Sequence, residues 1–261
     1  MILFRHELRR CRTAWIVWTA AISCFLAISI FLFPEIASQT DQINEMFSQM
    51  GSFTAAFGMD KLNFGTMTGY YTVECGNVLG LGGALFSAML AAAMLSKEEK
   101  ERTAEFLLAH PVSRARVVSE KLLAVYAQVV ALNAAACVVS VGSIAAVGES
   151  VPLKELGLLS LAYLLLQAEI ASVCFGVSAF ISKGGAGLGI GIAVLAYFLN
   201  IIGNIADPVK FIKYVTPYGY CDGSEIVSSG GLDAVKILIG AAFAAAGVAA
   251  AFIKYRKKDI S

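Results

Sequence analysis

Apolar residues gather in long blocks rather than at the spacing of a surface amphipathic helix. Six blocks stand out, at about residues 15–33, 75–95, 117–146, 156–181, 187–206 and 234–253. A helix needs about 20 apolar residues to cross a hydrocarbon core of about 30 Å. The pattern therefore predicts an all-α integral membrane protein with six transmembrane helices, in a single transmembrane domain over residues 1–261. The third block is overlong and is expected to project beyond the bilayer.

The polar intervals predict shorter elements. In residues 1–12, Met1, Phe4, Leu8, Cys11 and Trp15 recur on one helical face, and Arg5, Arg9 and Arg12 fall on another. This fits an N-terminal amphipathic elbow helix lying along the interface, or an ordinary basic flank. No small-residue cleavage site follows it, so a cleaved signal is not expected. Trp15 and Trp18 suit an interfacial anchor. Within the long interval 35–74, Ile43, Met46, Phe47, Met50 and Phe57 follow helical spacing and predict a helix on the outer surface or packed on the spans. Between spans five and six, Asp207 and Pro208 are expected to open a short helix, Thr216 and Pro217 to end it, and Ser224–Val227 to form another turn. Gly76, Gly80, Gly82 and Gly83 allow close helix approach.

The densest charge lies in Ser96–Lys121, where signs alternate through Lys97, Glu98, Glu99, Lys100, Glu101, Arg102 and Glu105 before the apolar Phe106, Leu107 and Leu108. Pro111 ends that pattern, and Ser113 is placed to cap the next helix. Charge distribution also predicts topology. With both termini inside, fifteen of the twenty Lys and Arg residues fall on the inner side, as the positive-inside rule requires. The Ser96–Lys121 loop is then cytoplasmic.

Composition narrows the chemistry. Hydrophobic residues make up 58% of the 261 and charged ones 15%, which leaves little room for a soluble domain. The net charge of +1 says nothing about partners; no nucleic-acid partner is expected. The six cysteines show no metal-ligand spacing; Cys75 and Cys221 fall nearest the outer surface, and the sequence leaves open whether they are bonded. No HExxH or GxSxG is present, and GGAGLGIG (184–191) lacks the Lys-Ser/Thr of a phosphate loop. His6 and His110 sit outside the spans. An intramembrane enzyme thus has little support. Glu169, near the centre of span four, costs roughly 2.5–3.5 kcal/mol to insert when charged. It must face other helices, a partner or a wet cavity, either as an interhelical contact or on a substrate path. Asn133 and Asn200 carry the same two readings.

The stretch KEEKERTAEFLLAHPVSRARVVSEKLLA resembles the first cytoplasmic loop of the type-2 ABC exporter permeases. The residues that carry the resemblance are Glu98, Glu99, Thr103, Glu105, Leu107, Leu108, Pro111, Val112, Ser113, Arg114 and Lys121. Arg102 stands where that family usually has Gly. The resemblance implies a coupling helix between spans two and three that docks on a separate ABC ATPase subunit. Its contacts would come from Glu98, Glu99, Glu101, Arg102, Thr103, Glu105, Phe106, Leu107, Pro111 and Arg114. It further implies a second permease chain, a cell-membrane location, and no cofactor in this chain, ATP and magnesium being bound by the partner. A non-transport scaffold, or a sensory or assembly subunit, explains the missing catalytic motifs equally well, but not the form of this loop.

Overall fold

A computed structural model describes residues 2–100, 112–182 and 184–257. Its described residues form helices and turns and no strand. In chain order these are α1 (Ile2–Ser38), α2 (Thr40–Gln49), α3 (Ser52–Ala56), α4 (Met67–Met94), α5 (Lys97–Lys100), α6 (Arg114–Val147), α7 (Leu153–Ser178), α8 (Gly185–Ile205), α9 (Gly223–Ser229) and α10 (Ala234–Lys257). Six of them, α1, α4, α6, α7, α8 and α10, are long and apolar enough to cross a bilayer.

Each predicted span has its helix, but several boundaries move. The segment expected as a separate elbow continues unbroken into α1, which has 37 residues. Nothing before Pro34 interrupts it: no Gly or Pro lies between Ile2 and Phe33. Its apolar face, with Phe4, Leu8, Cys11 and Trp15 half-buried, lies against the start of α6 instead of flat on an interface. The Phe4 N–H donates to the Glu120 carboxylate at 3.1 Å and the Trp15 indole donates to the Gln128 carbonyl at 3.1 Å. At about 1.5 Å per residue, α1 and α6 are both far longer than the hydrocarbon core, so each extends past it.

Pro34 sits inside α1 rather than ending it. The second span starts earlier than residue 75, because Thr66 caps it by accepting from the Gly69 N–H, and a π turn over Tyr71–Cys75 joins its two parts. The Tyr71 hydroxyl is held there by Ser140 at 3.1 Å. The helix expected in the 35–74 interval is α2. Ser113 caps α6, its hydroxyl accepting from the Arg116 N–H. Ala206, not Asp207, takes the cap position of the short helix Asp207–Tyr214.

The central pair is α4 and α7, while α8 and α10 expose most of their surface. Gly76 and Gly80 of α4 face the Tyr163 ring of α7. Farther along, α7 and α10 meet where Gly176 and Gly247 pack backbone to backbone; a methyl on either would overlap the other helix's main chain.

Part of the α8–α10 connection folds back against the bundle. Thr216 and Pro217 end its first turn, and Pro217–Tyr220 then runs buried between the helices. Irregular backbone is tolerated at depth only where protein covers and satisfies it. Here the Thr216 hydroxyl donates to the Ala196 carbonyl at 2.9 Å, the Cys221 thiol donates to the Ala162 carbonyl at 3.2 Å, and the Tyr218 ring packs edge-on against Tyr197. Cys221 and Cys75 are thus buried and free, not surface residues.

Candidate functional site

Two roots of the charged loop, Ser96–Lys100 and Ser113–Lys121, converge at the end of the bundle that also holds the start of α1 and the end of α10. Lys121 is fully buried. Its ammonium meets the Glu7 carboxylate at 3.0 Å, the Glu98 carboxylate, and the Met94 carbonyl at 2.8 Å. Lys97 also donates to Glu7. The result is a buried set of two ammoniums and two carboxylates, balanced in charge. Isolated, any one of these ions would be costly to bury; together they offset one another's charge, and one oxygen of Glu98 has no hydrogen-bond partner among the described residues.

Around this cluster the roots are tied outward. Glu120 accepts from Arg116 at 2.8 Å and from the Phe4 N–H. Arg114 donates to the Tyr255 and Arg256 carbonyls at 3.2 Å each, closing the last turn of α10. Cations suit that position because the final carbonyls of a helix are unpaired and carry its negative end. Four helices, α1, α4, α6 and α10, are therefore bonded directly to the loop's two roots.

Of the residues that the loop resemblance singled out, Glu98 is buried as the partner of Lys121 and Arg114 binds α10. Glu99 lies in α5. Glu101, Arg102, Thr103, Glu105, Phe106, Leu107 and Pro111 lie outside the described residues. Glu98 and Arg114 thus join the loop to the spans.

The intramembrane polar residues fall into three separate places. Asn133 donates to Gln167 at 2.7 Å and to the Val129 carbonyl, and Gln167 donates to the Leu79 carbonyl at 3.2 Å. This chain joins α6, α7 and α4; Gly83 makes it possible, since a side chain there would occupy the Gln167 amide. Asn133 is an interhelical contact. Asn200 instead lines a cavity of about 60 Å³ with Asn204 and Tyr218. The carbonyl oxygens of both Asn side chains and the Tyr218 hydroxyl have no partner among the described residues. Glu169 is separate again, accepting from the Tyr220 hydroxyl at 2.8 Å.

The model of a family described as ABC-2 family transporter protein matches residues 1–260. The chain belongs to the ABC-2 transporter family. Comparison with curated proteins finds no match. This ABC-2 permease is a multi-pass membrane protein, the membrane-spanning subunit of an ABC transporter, and its family implies a partner ATP-binding subunit. Permease domains of this kind are not themselves enzymes.

Two groups of functional interest in the ABC-2 permease escaped the pattern. Glu7 and Tyr220 are not singled out by spacing or hydropathy. A signal for Glu7 was present: it is the lone acid among residues 1–14, and it lies on the apolar face with Phe4, Leu8 and Cys11. At the opposite end of the permease, Asp222 caps α9 through the Ser224 and Glu225 N–H groups and pairs with Lys213 at 3.2 Å. Burial opposes its charge, but the Ser224 hydroxyl and Lys213 outweigh that and hold its carboxyl below the usual range. Glu225 then bonds Lys236 at 2.8 Å, tying the α8–α10 connection to the start of α10.

Proposed function

We propose that this permease is one half of the membrane core of an ATP-driven exporter in the cell membrane. Two permease chains pair, and ABC ATPase subunits dock beneath on the Ser96–Lys121 loop, with ATP and magnesium bound in the ATPases. Both termini lie in the cytoplasm, as does the loop. Glu101, Arg102, Thr103, Glu105, Phe106, Leu107 and Pro111 supply the docking contacts. Apolar anchors such as Phe106 and Leu107 give affinity, and the alternating charges give register.

The observation that carries this reading is the bonding of the loop's roots. A floppy loop would absorb a push from below. These roots are clamped by a buried ion cluster and by Arg114 to four helices, so displacement of the loop is transmitted to most of the bundle. The molecule moved across passes between the paired permeases.

Co-purification tests the reading. An ATPase expressed with the permease should be retained by the wild type and lost from Glu105→Lys and Phe106→Ala, while both variants still insert in the membrane. Normal retention of the ATPase by both variants would reject the docking role.

A further inference from the structure

Glu169 borders a cavity of about 210 Å³ between α6, α7 and α10, lined also by Tyr126, Ser172, Tyr220, Gly240 and Ala244. The Glu169 side chain is deeply buried, at 6% exposure, yet no positively charged side chain lines the cavity among the described residues. Its hydrogen-bond partner is the Tyr220 hydroxyl. One neutral hydroxyl does not offset the burial of a carboxylate.

The direction of the remaining hydrogen bonds decides which ligand chemistry fits. Ser172 donates its hydroxyl proton to the Ala168 carbonyl. In its 2.8 Å contact with Tyr126, Ser172 is therefore the acceptor and Tyr126 the donor. The Tyr220 proton is likewise committed to Glu169. With their protons used, both tyrosine oxygens and the carboxylate offer only lone pairs. Such a site accepts hydrogen bonds and repels anions. A primary ammonium supplies three donors and one positive charge, and the two tyrosine rings favour a cation further.

Access comes from the side. Leu165, Ala168, Ile237 and Ala244 are half-exposed and Ala241 is exposed. The mouth is thus apolar and opens on the outer surface of α7 and α10, suited to an alkyl chain. Gly240 keeps the cavity open, because any side chain there would collide with the Glu169 carboxylate.

We propose that this cavity is an intramembrane binding site for the primary ammonium of an amphiphile, entered sideways from the surface of the bundle. It deepens the exporter reading by naming a class of molecule. It is tested by binding to the permease alone, so its failure would leave the ATPase co-purification result standing.

The permease is placed in phosphatidylcholine nanodiscs and titrated with radiolabelled dodecylamine. Saturable binding near one per chain is expected, displaced by unlabelled dodecylamine and not by dodecanol or dodecyl sulfate. Glu169→Gln should weaken binding at least tenfold. Gly240→Ala, which keeps the carboxylate and fills the space beside it, should weaken it several-fold, so the test stands even if Glu169→Gln fails to insert. Competition by phosphatidylethanolamine in the nanodisc would support the site and identify the membrane's own aminolipid as occupant. Undiminished binding in that lipid would support it and point to an external amine. Non-saturable binding, equal displacement by dodecanol, or wild-type affinity in Gly240→Ala would overturn the proposal.

Discussion

Lys121 shows how much one side chain can decide. Fully buried, it answers two carboxylates and a carbonyl. Replacing it by Met leaves Glu7 and Glu98 with one ammonium between them. Removing one member of a buried ion group typically costs about 3–5 kcal/mol, so Lys121→Met should lower the unfolding midpoint sharply in detergent. Asn133→Leu, which removes only a neutral interhelical bond, should cost about 1 kcal/mol. Thermal unfolding of the two variants side by side checks the order; equal losses would mean that the ion cluster is not a principal tie. Asp222 adds a pH effect. Its folded-state value is depressed, so its stabilisation is complete above the ordinary 3.8 and is lost as pH falls through the lowered value. Asp222→Asn should remove that part of the acid sensitivity, read as a flatter stability curve below about pH 4.

Among the elements, helix existence and position follow from local pattern, whereas their relations follow from contact. Ser113 and the apolar runs were legible because capping and hydropathy act within a few residues. The unbroken α1 was not, because an amphipathic segment suits either an interface or a neighbouring helix. Only the Phe4–Glu120 and Glu7–Lys121 bonds, across more than a hundred residues, choose the neighbour. The same limit applies to the Pro217–Tyr220 turn, whose burial depends on contacts that its own sequence does not specify. Close approach of α7 and α10 depends on Gly176 and Gly247. Gly247→Leu should separate them and destabilise the protein by about 1–3 kcal/mol, the usual cost of overpacking, while a leucine at exposed Gly157, where nothing lies nearby, should have little effect. The melting temperatures of the two variants compare them directly.

Across the whole molecule, the loop roots, the start of α1 and the end of α10 share one end of the bundle, and the α8–α10 connection with its charge chain occupies the other. The proposed orientation predicts that a cysteine at Lys257 reacts with a membrane-impermeant maleimide only after permeabilisation, and one at Ser150 in intact cells. Reversed labelling would place the loop outside and end the docking proposal. By itself the sequence determined the helical class, six spans, a charge asymmetry and membership of a permease family, since hydropathy and charge are summed along the chain. It also marked Glu169 as anomalous without saying what surrounds it. Tertiary structure alone decided that Glu98 and Arg114 turn inward, that Glu7 meets Lys121, and that Tyr220 reaches Glu169. These pairings join residues distant in sequence, and burial makes each ion or hydroxyl find a partner that local spacing does not specify.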